Sequence, residues 1–98
     1  MVILTDKRRP MPITFIVNYE VKDFNIWKKA FASNSEVRKS AGIKATPYKE
    51  IENPNKVYIV GEAPSKELLE EMFSNPRFVQ LMQTAGVITK PNVVLLNK

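Results

Sequence analysis

The sequence predicts an α+β domain with the element order β-α-β-β-α-β, whose four-stranded antiparallel sheet carries its helices on one face. Two stretches, Ile13–Glu20 and Lys56–Ala63, are rich in the β-branched and aromatic residues that strands favour. Between them, residues 23–42 place apolar side chains at helical spacings. A chain of 98 residues also has the length of one domain.

The first strand and the helix after it are predicted as one unit. Successive side chains of Ile13–Glu20 point to opposite faces of the sheet, and apolar residues occur on both. Both faces of the sheet are therefore expected to be covered. Residues 23–42 are predicted to form one continuous helix, with Asp23 as its N-cap and Gly42 just after its end. The predicted buried side of this helix consists of Ile26, Trp27, Ala30, Phe31, Val37 and Ala41.

A β-hairpin is predicted next. Residues 43–52 form its first strand, and Pro47 within them removes a backbone donor, which favours an edge position. Asn53, Pro54 and Asn55 supply the residue types of a turn before the third strand, Lys56–Ala63. In that strand Tyr58 and Glu62 are expected to share one face.

The second helix is predicted in two pieces. Its first piece is Lys66–Ser74, and the chain then restarts a helix at Asn75-Pro76, an N-cap followed by a proline at the first helical position. Residues 91–98 are predicted to be the fourth strand. This order is that of the ferredoxin-like fold. The apolar second face of the sheet predicts a homodimer, in which two sheets face each other and form a dimeric α/β barrel.

Composition excludes several classes of site. The chain has no cysteine and no histidine, so disulfides, cysteine nucleophiles, a Ser-His-Asp triad and imidazole-held zinc or haem cannot be built from it. No cofactor and no metal are expected. The formal net charge of +5 is spread along the chain, so nucleic acid is not an expected partner. Without a run of about 18 apolar residues, no membrane span is expected, and the cytoplasm is the expected compartment.

Residues 1–11 are expected to be an N-terminal extension that carries the basic cluster Lys7-Arg8-Arg9, and residues 12–98 one domain. Two motifs in the second part are specific: V-x-D-F-x-x-W-K-x-x-F in the first helix and S-N-P-x-F…M-x-x-A-G-V in the second. With them, residues 12–98 resemble the dimeric α/β-barrel superfamily and, within it, the small antibiotic-biosynthesis-monooxygenase-like proteins. The resemblance implies the ferredoxin-like fold and a homodimer. Some members of the superfamily use a histidine as base or haem ligand, and this chain has no histidine to match it.

Four residues of the first helix are candidates for a ligand site. Asn34 and Arg38 continue its predicted buried side, where they would orient an anionic or carbonyl-bearing ligand in a pocket between helix and sheet. In the alternative, both lie at the edge of that side and Arg38 extends to solvent. Trp27 and Phe31 would form an aromatic wall for a planar molecule, or else belong to the core.

Four further candidates lie elsewhere in the sequence. Glu62 would be a general acid or base if burial raised its pKa. In the alternative, it is a strand-end carboxylate paired with a lysine. Tyr58 would lie beside it at the dimer barrel. Met72 and Met82 flank the broken helix, where a small apolar ligand would enter, or else they are core residues.

These features predict a homodimer, paired through the open sheet face, that binds a small apolar or aromatic molecule as a cofactor-independent monooxygenase or isomerase. The alternative is a non-enzymatic binding or interaction module with no open active site. A cavity beside Asn34 and Arg38 would favour the enzyme.

Overall fold

The sheet has the strand order β2-β3-β1-β4, and every neighbouring pair is antiparallel. The computed structural model describes residues 12–97, so the predicted extension over residues 1–11 lies outside the described residues. The predictions of the first and third strands are confirmed, whereas the second and fourth strands are shorter than predicted. The four strands are β1 (Ile13–Glu20), β2 (Lys44–Lys49), β3 (Lys56–Ala63) and β4 (Asn92–Leu96).

Four helices connect these strands: α1 (Phe24–Ser33), α2 (Ser35–Ser40), α3 (Lys66–Ser74) and α4 (Pro76–Thr84). The predicted ferredoxin-like order, with helices on one face of the sheet, is confirmed. The predicted break at Asn75-Pro76 is also confirmed. The side-chain oxygen of Asn75 accepts a hydrogen bond from the backbone N–H of Arg77 at 2.9 Å, which caps α4 as α3 ends.

The prediction of one continuous helix over residues 23–42 is wrong, because the helix breaks at Asn34. The hydroxyl of Ser33 and the side-chain amide of Asn34 both donate to the carbonyl of Ala30, at 2.8 and 3.1 Å. Side chains of these types compete for backbone hydrogen bonds and so favour helix ends over helix interiors. The predicted outer ends are nevertheless present: Asp23 caps α1, and Gly42 follows α2 with a positive φ of 77°.

The predicted buried side of this region is confirmed only in part. Trp27 is 2% exposed and lies at the centre of the core, as predicted. Ile26 and Val37 are 59% and 67% exposed, so the predicted buried side is wrong at these two positions. Val37 lies after the break, in α2, whereas Ile26 is exposed within α1 itself.

The core lies between the helices and one face of the sheet. The odd-numbered residues of β1 and β3 point into it and meet Trp27 of α1 and Leu69 of α3. Pro47 of β2 lies on an edge strand, as its missing backbone donor predicted. The buried residues of the two central strands are Phe15, Val17, Tyr19, Val57, Ile59 and Ala63.

The opposite face of the sheet, called the open face below, is formed by the even-numbered residues of all four strands. Its middle row runs across the sheet through residues paired in register: Thr46, Val60, Ile16 and Val94. No helix in the described part of the chain packs on this face. Val60 and Val94 are therefore 37% and 39% exposed.

Strand β4 is exposed on both of its faces. All five of its residues are exposed, and four of them are apolar: Val93, Val94, Leu95 and Leu96. It also lies at an edge of the sheet, where its outer backbone groups have no strand beside them among residues 12–97. None of the helices described is both long and apolar enough to cross a membrane.

Candidate functional site

A buried aromatic cluster lies beneath α1. The indole N–H of Trp27 donates a hydrogen bond to the hydroxyl oxygen of Tyr19 at 3.0 Å, and the two rings meet edge to face. The rings of Phe24 and Phe31 lie 5.8 and 5.2 Å from that of Trp27. Trp27 is thus packed on several sides and satisfied at its polar end, as a core tryptophan requires.

Asn34 and Arg38 lie at one end of this cluster, and both bind backbone carbonyls. A guanidinium N–H of Arg38 donates to the carbonyl of Phe31 at 2.8 Å, and the guanidinium stacks 3.7 Å from the centre of the Phe31 ring. Asn34 donates to Ala30, as described above. Both side chains are half-buried. They therefore stabilise the break between α1 and α2 by satisfying the carbonyls that the break exposes.

Burial controls the titration of this cluster. It raises the pKa of Tyr19 to about 12, and it outweighs the hydrogen bond from Trp27 and the nearby charge of Arg38, both of which favour the ionised form. Burial also lowers the pKa of Arg38 from its usual value, an effect that Tyr19 opposes. The hydroxyl of Tyr19 therefore keeps its proton in alkaline solution in which an exposed tyrosine would lose it.

The raised pKa of Tyr19 predicts a loss of stability in alkali. An unfolded tyrosine loses its proton near pH 10, while Tyr19 in the folded chain keeps its proton to about pH 12. Below pH 10, Tyr19 is neutral in both the folded and the unfolded chain, so it adds no pH dependence to the free energy of unfolding. Between pH 10 and 12 its ionisation in the unfolded chain lowers the free energy of unfolding by about 1.4 kcal/mol per pH unit. Urea unfolding at several alkaline pH values, followed by tryptophan fluorescence, measures this slope.

Tyr19→Phe is the matched control, because it removes the titrating group and keeps the ring. It leaves the indole N–H of Trp27 without its acceptor, so at pH 7 we expect a loss of about 1–3 kcal/mol. The variant should also have a shallower decline between pH 10 and 12 than the natural chain. Identical slopes in the two proteins would contradict the account of Tyr19.

Tyr58 and Glu62 lie on the open face, on the side of the sheet away from Trp27. The hydroxyl of Tyr58 donates to the carboxylate of Glu50 at 2.7 Å, and this bond raises the pKa of Tyr58. Glu62 is exposed and lies opposite Lys44 in register. The two candidates thus share a face, as predicted, and a lysine stands opposite Glu62.

A cleft of about 290 Å³ lies between α4, the helix after the predicted break, and residues 87–91. Hydrogen bonds hold its floor in place: the backbone N–H of Ile88 donates to the carbonyl of Glu20, and the N–H of Glu20 donates to the hydroxyl of Thr89, each at 2.9 Å. We call it the α4 cleft. Its lining residues are Val79, Met82, Gln83, Val87, Ile88, Thr89, Lys90 and Pro91.

A second depression, of about 390 Å³, is less suited to a ligand. In the described part of the chain its lining consists of α4 residues at the spacings of one helix surface: Arg77, Gln80, Leu81 and Thr84. One side of a single helix cannot surround a small molecule as the α4 cleft can, since that cleft has walls from two segments of chain.

The structure thus divides the sequence-predicted residues among three places. Trp27, Phe31, Asn34 and Arg38 form the aromatic cluster, and Tyr58 and Glu62 lie on the open face. Met72 packs against the core, while Met82 both packs there and lines the α4 cleft. The rest of the cleft was missed, because residues 87–91 carry no motif. The one available signal was the mixture of apolar side chains with a lysine between Gly86 and Pro91.

Solved structures superpose on most of this chain. A Bordetella bronchiseptica protein assigned to the antibiotic biosynthesis monooxygenases has a TM-score of 0.73 at 15% identity, over 89% of this chain and 96% of that one. A Caulobacter crescentus protein with the same assignment has a TM-score of 0.71 at 11% identity, over 97% and 96%. The fold is that of the antibiotic biosynthesis monooxygenases.

A third structure with this monooxygenase fold is SnoaB, a cofactor-independent oxygenase from Streptomyces nogalater. It has a TM-score of 0.65 at 12% identity, over 89% of this chain and 94% of that one. No protein-family model matches the sequence, and no curated protein matches it at a significant level. The predicted resemblance to the antibiotic-biosynthesis-monooxygenase-like proteins is therefore confirmed as a likeness of fold.

Proposed function

We propose that the protein is a homodimeric α/β-barrel protein that binds a small apolar or aromatic molecule in the α4 cleft. The observation that carries this proposal is the lining of the cleft. Five of its eight lining residues are apolar, and the polar remainder, Gln83, Thr89 and Lys90, lies in two short stretches of chain. A concave apolar site with a few polar groups is typical of small-molecule binding.

The homodimer would form through the open face. Val60 and Val94 of the middle row lie uncovered beside Ile16, and Leu96 of β4 extends this apolar surface on the same face. Uncovered apolar surface of this kind is costly to leave in water, and a second copy of the same face would cover it across a two-fold axis. Localisation in the cytoplasm remains the expectation from sequence.

A cofactor-independent monooxygenase is the second candidate function. The likeness of fold to SnoaB, itself a cofactor-independent oxygenase, favours it. The aromatic cluster supplies a tyrosine, a tryptophan and an arginine, the residue types on which such an enzyme without histidine would have to rely. Against it, the hydroxyl of Tyr19 is buried with Trp27, and Asn34 and Arg38 bind backbone carbonyls. A binding module without catalysis therefore accounts better for this geometry.

Oxygen uptake separates the two candidates. A cofactor-independent oxygenation requires a substrate that itself reduces oxygen, such as an electron-rich dihydroxynaphthalene. The binding module predicts no acceleration of oxygen uptake above the rate without protein, whereas the monooxygenase predicts acceleration that Trp27→Phe reduces.

The site itself is tested by filling the cleft. Val79→Trp places a large ring where a ligand would lie, while Leu81→Trp adds the same ring to α4 outside the cleft. In an NMR titration with 2-naphthol, we expect amide shifts at residues 82–89 in the natural chain and in Leu81→Trp. We expect at least a tenfold loss of affinity in Val79→Trp, because the added ring occupies the ligand's volume. Equal affinity in all three proteins would exclude the α4 cleft.

A further inference from the structure

Within residues 12–97, the α4 cleft has one charged group in its lining. Of the eight lining residues described, Lys90 alone is charged, and its side chain is exposed, whereas Val79, Met82 and Val87 are half-buried. The cleft therefore has an apolar interior and a positive charge at its solvent side. Such an arrangement is complementary to a molecule with an apolar body and one anionic end.

Two further side chains can donate hydrogen bonds at the cleft. The hydroxyl oxygen of Thr89 accepts a bond from the backbone N–H of Glu20, so its own proton remains available for a ligand. The side-chain amide of Gln83 supplies N–H donors from α4. An ammonium, a hydroxyl and an amide suit a carboxylate, which accepts up to about four hydrogen bonds.

The volume of the cleft limits the size of the ligand. A space of about 290 Å³, at roughly 10–15 Å³ for each water-sized group, holds about twenty such groups and so has ample room for a molecule of about ten non-hydrogen atoms. Octanoate and phenylpropionate are molecules of this size. We infer that the α4 cleft binds a small monocarboxylate, an acyl or aryl acid of about ten non-hydrogen atoms, with its carboxylate at Lys90. This inference rests on the proposed function of the cleft as a ligand site.

The test compares octanoate with octanamide, its neutral counterpart of equal length, by NMR titration of the full chain at pH 7. We expect octanoate to bind about fivefold more tightly than octanamide, the advantage that one exposed ion pair supplies. Lys90→Met keeps the apolar stem of the side chain and removes the charge, so both ligands should bind it with equal affinity. Lys39→Met, on the exposed surface of α2, is the control and should keep the fivefold difference.

Each outcome of this test has a distinct meaning. If octanoate and octanamide bind the natural chain equally, the carboxylate class is wrong while the cleft remains a ligand site. If neither ligand shifts the amides of residues 82–89, the inference and the proposed site both fail. If octanoate keeps its advantage in Lys90→Met, Lys90 is not the carboxylate's partner and the inference is overturned.

Discussion

Val60→Glu is expected to convert the proposed homodimer into monomers. Val60 lies in the middle row of the open face and is 37% exposed in the single chain, so the monomer tolerates a larger polar side chain there. In the proposed dimer the same position is buried against the second copy, where a carboxylate would lose its hydration without a charged partner. An uncompensated buried charge costs about 3–5 kcal/mol, so the dissociation constant should rise by at least about 100-fold.

Sedimentation equilibrium over a range of micromolar concentrations measures this change. Ile51→Glu is the matched control, because Ile51 is 92% exposed and lies between β2 and β3, away from the open face. It should leave the dissociation constant unchanged. If Val60→Glu associates as tightly as Ile51→Glu, the two copies do not pair through this face.

Gly61→Ala is expected to be strongly destabilising. Gly61 of β3 lies between β2 and the Phe15 ring, and a methyl group built on it overlaps the backbone carbonyl oxygen of Lys44. The same methyl group would stand 2.9 Å from the Phe15 ring and 3.0 Å from the Cα of Ala45. Two of these three neighbours are backbone atoms, so β2 itself would have to move. We expect a loss of about 3 kcal/mol, at the upper end of the usual cost of overpacking.

Gly86→Ala provides the comparison for this variant. Gly86 has a positive φ of 93°, and a methyl group on it would make only an ordinary contact with Lys22 at 3.7 Å, so its substitution costs only backbone strain of about 1–2 kcal/mol. Urea unfolding of both variants at one fixed protein concentration gives the two losses. Hydrogen exchange should also show weaker protection of β2 in Gly61→Ala alone. A smaller loss in Gly61→Ala than in Gly86→Ala would contradict the close approach of β2 and β3.

The fold was largely predictable, because its signals are local. Strand alternation defined β1 and β3, and the pair Asn75-Pro76 marked the break between α3 and α4 through cap chemistry alone. Such patterns report which neighbours a residue has within its own strand or helix. They need no knowledge of how the elements pack.

The break at Asn34 shows where that reasoning fails. The spacing of Trp27, Phe31, Asn34 and Val37 predicts one helix. Periodicity alone cannot show that the side chains of Ser33 and Asn34 bind the carbonyl of Ala30 and that the helix ends there. The three consecutive polar residues at 33–35 were the available evidence. Weighing their competition for backbone hydrogen bonds above the apolar spacing would have predicted two helices.

The candidate site was the least predictable part, because it is a product of packing. The α4 cleft combines α4 with residues 87–91, and the position of that second wall depends on backbone contacts with Glu20, about 70 positions earlier in the chain. The spacing of residues within one element does not predict a contact between residues so far apart in the chain. Met82 was identified beforehand only because it lies on the inner side of α4.

A crystal structure of the full chain soaked with 2-naphthol is the most direct test of the proposed function. It should show the naphthol ring in the α4 cleft against Val79 and Met82, and a second copy related by a two-fold axis covering Val60 and Val94. A cleft that stays empty at saturating 2-naphthol, with the open face turned to solvent, would contradict it.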